Sequence, residues 1–166
     1  MYISTIGQDS HAYDLDYEGK ETEIMIGGTA IPNDKPVLAN SDGDVVLHAI
    51  TNAISGYTMR NILGGVADEL CLKQGIRDSR VYLEEGLKDL RDKGAKICHL
   101  SISIECKRPK LLPYIDDMRK SLGEILNISP SHVGITATTG EGLTAFGKAQ
   151  GIQAFVILSL EIEPYA

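Results

Sequence analysis

The chain has 166 residues, and 16 Lys+Arg against 23 Asp+Glu give it a formal net charge of −7. With 43% apolar and 23% charged residues it can bury a core, so residues 1–166 are expected to form one acidic globular domain rather than a disordered or fibrous chain. No run of about eighteen apolar residues exists, which excludes a membrane-spanning helix, and an acidic surface without a long Lys/Arg tract argues against DNA or RNA as the main partner. The opening Met1-Tyr2-Ile3-Ser4-Thr5-Ile6-Gly7 is too short and uncharged for a signal or transit peptide, so a cytoplasmic location is expected. Cys71, Cys98 and Cys106 are odd in number and lack metal-ligand spacing, which argues against a disulfide framework and a cysteine-based zinc site.

Strand and helix signals alternate along the chain. Residues 2–7 and 23–26 read as short strands separated by a polar, turn-prone stretch from Asp14 to Lys20. Ser41-Asp42-Gly43-Asp44 reads as a helix start with Ser41 as N-cap and an acid three residues on. In that helix Val46, Ala49, Ile50 and Ala53 fall at core spacing, while Ser41, Asp44, His48 and Asn52 share the other face. Residues 60–77 read as an irregular loop carrying Gly64-Gly65 and Gly75. A second helix, capped by Ser79, presents Leu83, Leu87 and Leu90 and stops at Gly94. Residues 97–106 alternate as a strand, with Cys98, Leu100, Ile102, Ile104 and Cys106 toward the core. Pro109 and Pro113 bracket a turn into a third helix with Ile115, Met118, Leu122 and Ile125 at helical spacing. Residues 133–138 and 152–162 close the chain as strands, the last apolar on both faces from Ala154 to Leu158. Such a strand needs cover on both sides, which in so small a chain points to its own helices on one face and a second subunit on the other.

Three segments carry side chains suited to chemistry. Asp9-Ser10-His11 places a carboxylate and an imidazole on one side of an extended chain, and His48 adds an imidazole from a helix. One Asp with two His suits a zinc ion that keeps an open position, although the same spacing occurs in solvated residues. Ala137-Thr138-Thr139-Gly140-Glu141-Gly142 offers hydroxyls, backbone N–H groups and a carboxylate to a metal–phosphate pair, or is a glycine-rich turn. Lys107-Arg108-Pro109-Lys110, the one dense basic spot, suits an anion or a solvated strand end. His99 and His132 read as surface residues.

Together these segments resemble the 2-C-methyl-D-erythritol 2,4-cyclodiphosphate synthases of the non-mevalonate isoprenoid pathway. The resemblance is carried by Ile6-Gly7-Gln8-Asp9-Ser10-His11, Ile26-Gly27-Gly28-Thr29-Ala30-Ile31-Pro32 and Ser41-Asp42-Gly43-Asp44-Val45-Val46-Leu47-His48-Ala49. Further on it rests on Pro109-Lys110-Leu111-Leu112-Pro113 with Met118-Arg119, Ala137-Thr138-Thr139-Gly140-Glu141 and Gly151-Ile152. It implies an α+β fold, a small mixed sheet with helices on one face, in a homotrimer whose sheets surround a threefold axis and whose active sites are shared between subunits. It implies zinc on Asp9, His11 and His48, and a second divalent cation, magnesium or manganese, on Glu141. Thr138 and Thr139 are expected at the phosphates of a cytidine diphosphate substrate, with Lys110 and the chain around Cys106, Pro109, Leu111 and Leu112 holding the nucleotide. The implied reaction is an intramolecular phosphoryl transfer that releases CMP, with Thr139, Asn40, Ser41, Lys110 and Glu141 at the reacting phosphates and Gly64 and Lys148 bordering the substrate.

The departures from the family pattern are one-sided. Asn40 replaces a phosphate-contacting histidine, and Asn52 a helix aspartate. Asn61-Ile62-Leu63-Gly64 stands where a Gly-Asp-Ile-Gly segment grips the methylerythritol hydroxyls. Val66-Ala67-Asp68-Glu69 replaces an aromatic-Pro-Asp stretch, Thr144-Ala145 a Gly-Phe pair and Lys148 an arginine. Metal and nucleotide positions are kept and sugar-alcohol positions are not. The alternative is therefore a paralogue that acts on, or only binds, a different diphosphate.

Overall fold

The computed structural model describes residues 1–163. Its central sheet has the order β1-β6-β4-β5, built from β1 (Tyr2–Ala12), β4 (Lys96–Glu105), β5 (Val133–Thr138) and β6 (Gly151–Glu161). β4 and β5 run parallel while β6 is antiparallel to both of its neighbours, so the sheet is mixed. A separate hairpin, β2 (Thr22–Ile26) and β3 (Thr29–Asn33), turns at Gly27-Gly28. Three helices, α1 (Val45–Thr58), α2 (Ser79–Asp92) and α3 (Ile115–Leu126), complete the α+β fold.

The strand alternation explains the layering. Leu100, Ile102 and Ile104 of β4, and Ile152, Ala154, Val156, Leu158 and Leu160 of β6, all face the helices and are buried. On the other face β6 presents Phe155 and Ile157, 44% and 49% exposed, with Ile6 directly across from Ile157 at 65%. The strand expected to be apolar on both sides is therefore covered by its own chain on one side alone.

Several boundaries differ from the sequence reading for physical reasons. β1 runs on to Ala12, because every residue of it pairs with β6. β3 was not expected, its Pro32 being tolerable at the edge of a two-stranded hairpin. The cap of α1 is Asp44, not Ser41: its carboxylate accepts from Val46 N and Leu47 N at 3.1 and 3.0 Å, and from Gly27 N and Gly28 N at 2.8 and 2.6 Å. One buried carboxylate thus ties the hairpin turn to the helix start. α2 is likewise capped by Asp78, and Ser79 is its first residue. Most of the polar face of α1 is not wet: Asp44, His48, Thr51 and Ser55 are buried between the sheet and α2, and exposure is confined to Gly56 and, in part, Asn52 and Tyr57. Cys98 is half-buried rather than core, because a register shift between Ile97 and His99 breaks the alternation. Within the irregular stretch of residues 60–77, the chain kinks at Leu63 and Gly64, whose backbone angles are not helical, and makes one short wide helical turn at Glu69–Lys73.

Candidate metal centre and its cavity

The odd positions of β1 face α1, and Gly7 sets how near the two lie. A Cβ on Gly7 would come 1.9 Å from the Ala49 carbonyl oxygen, so strand and helix backbones touch there. Asp9 and His11 follow on the same strand face, and His48 precedes the contact residue on the helix. Consequently Asp9 Oδ2 lies 2.9 Å from His48 Nδ1 and 3.1 Å from His11 Nε2, and the two ring nitrogens are 3.2 Å apart. The rings meet edge to face at 71°. Burial raises the pKa of Asp9, but the adjoining His11 and His48 rings outweigh it and hold the carboxyl well below the usual range. Donors on a tetrahedral zinc with bonds of about 2.0–2.1 Å are roughly 3.3 Å apart, close to these three separations. The donor set therefore fits such an ion.

The three side chains open into a cavity of about 290 Å³. Leu38, Ala39, Asn40 and Ser41 form one wall, Leu63, Gly64, Ala67, Asp68 and Cys71 a second, and Tyr82 of α2 the back. Cys71 Sγ donates to Asn40 O at 3.3 Å and joins the two walls. Asn40, Ser41 and Gly64, expected at the substrate, all line this cavity. Asp68, Cys71 and Tyr82 were missed, since nothing in an aperiodic loop marks which residues face inward. Ile62 points elsewhere: it is fully buried with Ala67 and Tyr82 in a small core of its own. Behind the metal centre, His48 Nε2 is 2.8 Å from Ser79 Oγ and 3.3 Å from Ser41 Oγ, and Ser79 is hydrogen-bonded to Asp42.

The expected phosphate and nucleotide residues gather at the ends of the parallel strands β4 and β5. Cys106 N donates to Thr138 O and Lys107 N to Phe146 O, both at 3.1 Å. Cys106, Pro109 and Leu111 are buried beneath, whereas Lys110, Leu112, Thr138, Thr139, Glu141 and Lys148 are exposed. Thr144 Oγ1 donates to Glu105 and holds the 140–148 segment against β4. This cluster shares an end of the sheet with the metal centre, because His11 pairs with Ile152 and Glu105 with Gln153. Among the described residues, however, none of it lines the metal cavity of the same chain.

The model of the YgbB family matches residues 2–161. The chain belongs to that family. It is 48% identical over 160 residues to the 2-C-methyl-D-erythritol 2,4-cyclodiphosphate synthase of Chlamydia trachomatis serovar L2b (strain UCH-1/proctitis), covering 96% of this chain and 88% of the relative. It is 49% identical over the same length to that of Chlamydia muridarum (strain MoPn / Nigg), with the same coverage. A solved 2C-methyl-D-erythritol-2,4-cyclodiphosphate synthase in a CDP-bound form superposes with a TM-score of 0.81 at 30% identity, covering 96% of this chain and all of the other. The YgbB-family chain is accordingly an enzyme of the cyclodiphosphate synthase type. Among its described residues no helix is long and apolar enough to cross a membrane.

Proposed function

We propose that this chain converts CDP-methylerythritol 2-phosphate to methylerythritol 2,4-cyclodiphosphate and CMP, with zinc held by Asp9, His11 and His48. The observation that carries the reading is the set of three donors within 4.8 Å of one another, opening into a cavity, in a chain of this family. An oxygen of the substrate's 2-phosphate attacks the β-phosphorus, the bond from that phosphorus to CMP breaks with its electron pair leaving on CMP, and an eight-membered ring closes. Bound zinc, with magnesium or manganese on Glu141, supplies charge neutralisation at the phosphates.

The chain's own groups bind and orient. Lys110 sets a point charge and Thr138 and Thr139 set hydroxyl donors at the diphosphate. Asn40 donates a neutral hydrogen bond at the transferring phosphate, beside Ser41. Gly64 lets the substrate approach the loop backbone, its Cβ position having no atom within 4 Å. The nucleotide rests on the chain around Cys106, Pro109, Leu111 and Leu112, and Lys148 borders it. Because metal donors and phosphate loops line different places in one chain, the working site takes the metal centre from one subunit and the loops from another. The homotrimer that provides this is supported by the apolar sheet face of Ile6, Phe155 and Ile157.

A second reading, a paralogue acting on or only binding another diphosphate, is favoured by Ile62, which is apolar and buried and so offers no group to a substrate hydroxyl. The purified protein incubated with CDP-methylerythritol 2-phosphate, zinc and magnesium is followed by phosphorus NMR. The first reading expects CMP and the cyclic diphosphate in equal amounts. No CMP from zinc-loaded protein would sink it, and CMP without cyclic product would favour the second. His48→Ala is expected to abolish the one zinc per chain measured by atomic emission.

A further inference from the structure

The hydrogen bonds behind His48 have a direction that the positions of the heavy atoms decide. Both oxygens of Asp42 accept backbone N–H groups: Oδ1 from Asp44 N and Oδ2 from Ser79 N, each at 3.1 Å. Oδ1 also meets Ser79 Oγ. An ionised carboxylate accepts and cannot donate, so the single hydroxyl hydrogen of Ser79 points at Asp42. That leaves Ser79 Oγ only lone pairs to offer His48 Nε2, 2.8 Å away. Nε2 must then carry the ring hydrogen. Ser41 Oγ, 3.3 Å from the same nitrogen, is engaged by Gly43 N at 3.2 Å and offers a weaker second acceptor on the same side.

A neutral imidazole has one N–H, so with Nε2 protonated the lone pair sits on Nδ1. Nδ1 is the atom 2.9 Å from the Asp9 carboxylate and 3.2 Å from His11 Nε2. In that tautomer Nδ1 presents its lone pair toward the Asp9 oxygen and His11 Nε2, the arrangement that a metal ion held by all three satisfies.

We propose that Ser79 and Asp42 are positioning residues, a hydrogen-bond relay that holds His48 in its Nε2–H tautomer so that Nδ1 is presented to the metal as a ready lone pair. The inference rests on the reading of Asp9, His11 and His48 as metal ligands. Ser79 is fully buried at the first turn of α2, and Asp42 N is bonded to Arg77 O at 2.8 Å. The relay therefore links the docking of α2 to the affinity of the metal centre. An outer partner that fixes ring orientation is typically worth about 10–100-fold in metal affinity.

The test reads the tautomer directly. Nitrogen-15 NMR of the histidine rings in metal-free full-length protein at about pH 8 is expected to show His48 protonated on Nε2 and not on Nδ1. Ser79→Ala is expected to give a tautomer mixture and weaken zinc, measured by chelator competition, by about 10–100-fold, with Asp42→Asn shifting both in the same direction and Ser79→Thr restoring both. An Nδ1–H tautomer in the unaltered protein, or unchanged tautomer and zinc affinity in a folded Ser79→Ala, would overturn the relay. If Ser79→Ala does not fold by circular dichroism, the unaltered protein's tautomer together with Asp42→Asn decides. Zinc failing to bind the unaltered protein would instead defeat the ligand assignment, whatever tautomer the spectrum shows.

Discussion

The candidate metal centre and the proposed phosphate loops lie at the same end of one sheet yet are built in opposite ways. The three candidate donors come from a long paired strand and a largely buried helix, and a strand–helix backbone contact at Gly7 sets their spacing. Lys110, Thr139 and Glu141, the proposed phosphate side chains, stand exposed on loops whose buried floor is Cys106, Pro109 and Leu111. The first region is complete within one chain and the second has no opposing wall there. A site that must grip a metal before substrate arrives needs its donors held in advance, whereas loops that close on a ligand can be left open.

The largest expected way to break this contrast is at Asp44. Asp44→Ala removes the α1 cap and orphans buried N–H groups at Gly27, Gly28, Val46 and Leu47. At roughly 1 kcal/mol for each lost partner, the expected cost is about 4 kcal/mol by urea denaturation, with zinc lost alongside. A cost under about 1 kcal/mol would mean that the helix start is held otherwise. Next comes Ile62→Asp. Aligned without gaps, this change restores the family's carboxylate, but Ile62 is packed against Ala67 and Tyr82, so a buried unpaired acid should cost about 3 kcal/mol and gain no activity. A stable, faster Ile62→Asp variant would show that the loop turns this position toward substrate.

How far this was legible in the sequence depends on whether the deciding contact is local. Asp9 and His11 are readable because a strand repeats every two residues, and His48 because its helix block is distinctive; the Gly7–Ala49 contact that makes them converge joins segments about forty residues apart and leaves no local mark. Ser41 and Asp44 both qualify as caps by type, and only the distant Gly27 and Gly28 amides favour Asp44. Position 62 was legible by alignment, its burial was not, since the turns of residues 60–77 take their shape from packing on Tyr82 rather than from any periodicity. The mixed sheet was legible only through the family resemblance; alternation marked β4 as a strand and β6 as apolar on both sides, and the outward half of β6 remains uncovered in one chain.

Glu141 tests the open side of the contrast. It is exposed and sits at φ 50° in a short turn, so its side chain contributes little packing. Glu141→Gln is expected to leave the melting temperature within about one degree, while turnover with magnesium falls about 100-fold, the usual scale for one lost group at a developing charge. A stability loss without an activity loss would reverse the roles of the two regions.

The smallest effect concerns the floor beneath those loops. Burial pushes the Cys106 thiol up to about 12, with Lys110 opposing and Glu105 adding to the rise, and its Sγ lies 3.6 Å from Pro109 O. Below that pH the folded protein holds it as a neutral thiol, and at pH 8 the reactive thiolate is about one part in ten thousand. Cys71 and Cys98 are half-buried. Iodoacetamide followed by mass spectrometry should therefore label Cys71 and Cys98 in native protein and reach Cys106 only after unfolding, with native labelling of Cys106 rising as the pH is raised toward 12. Equal labelling of all three at pH about 8 would mean that the floor opens with its loops, and the division between a rigid metal centre and open loops resting on a fixed base would have to be redrawn.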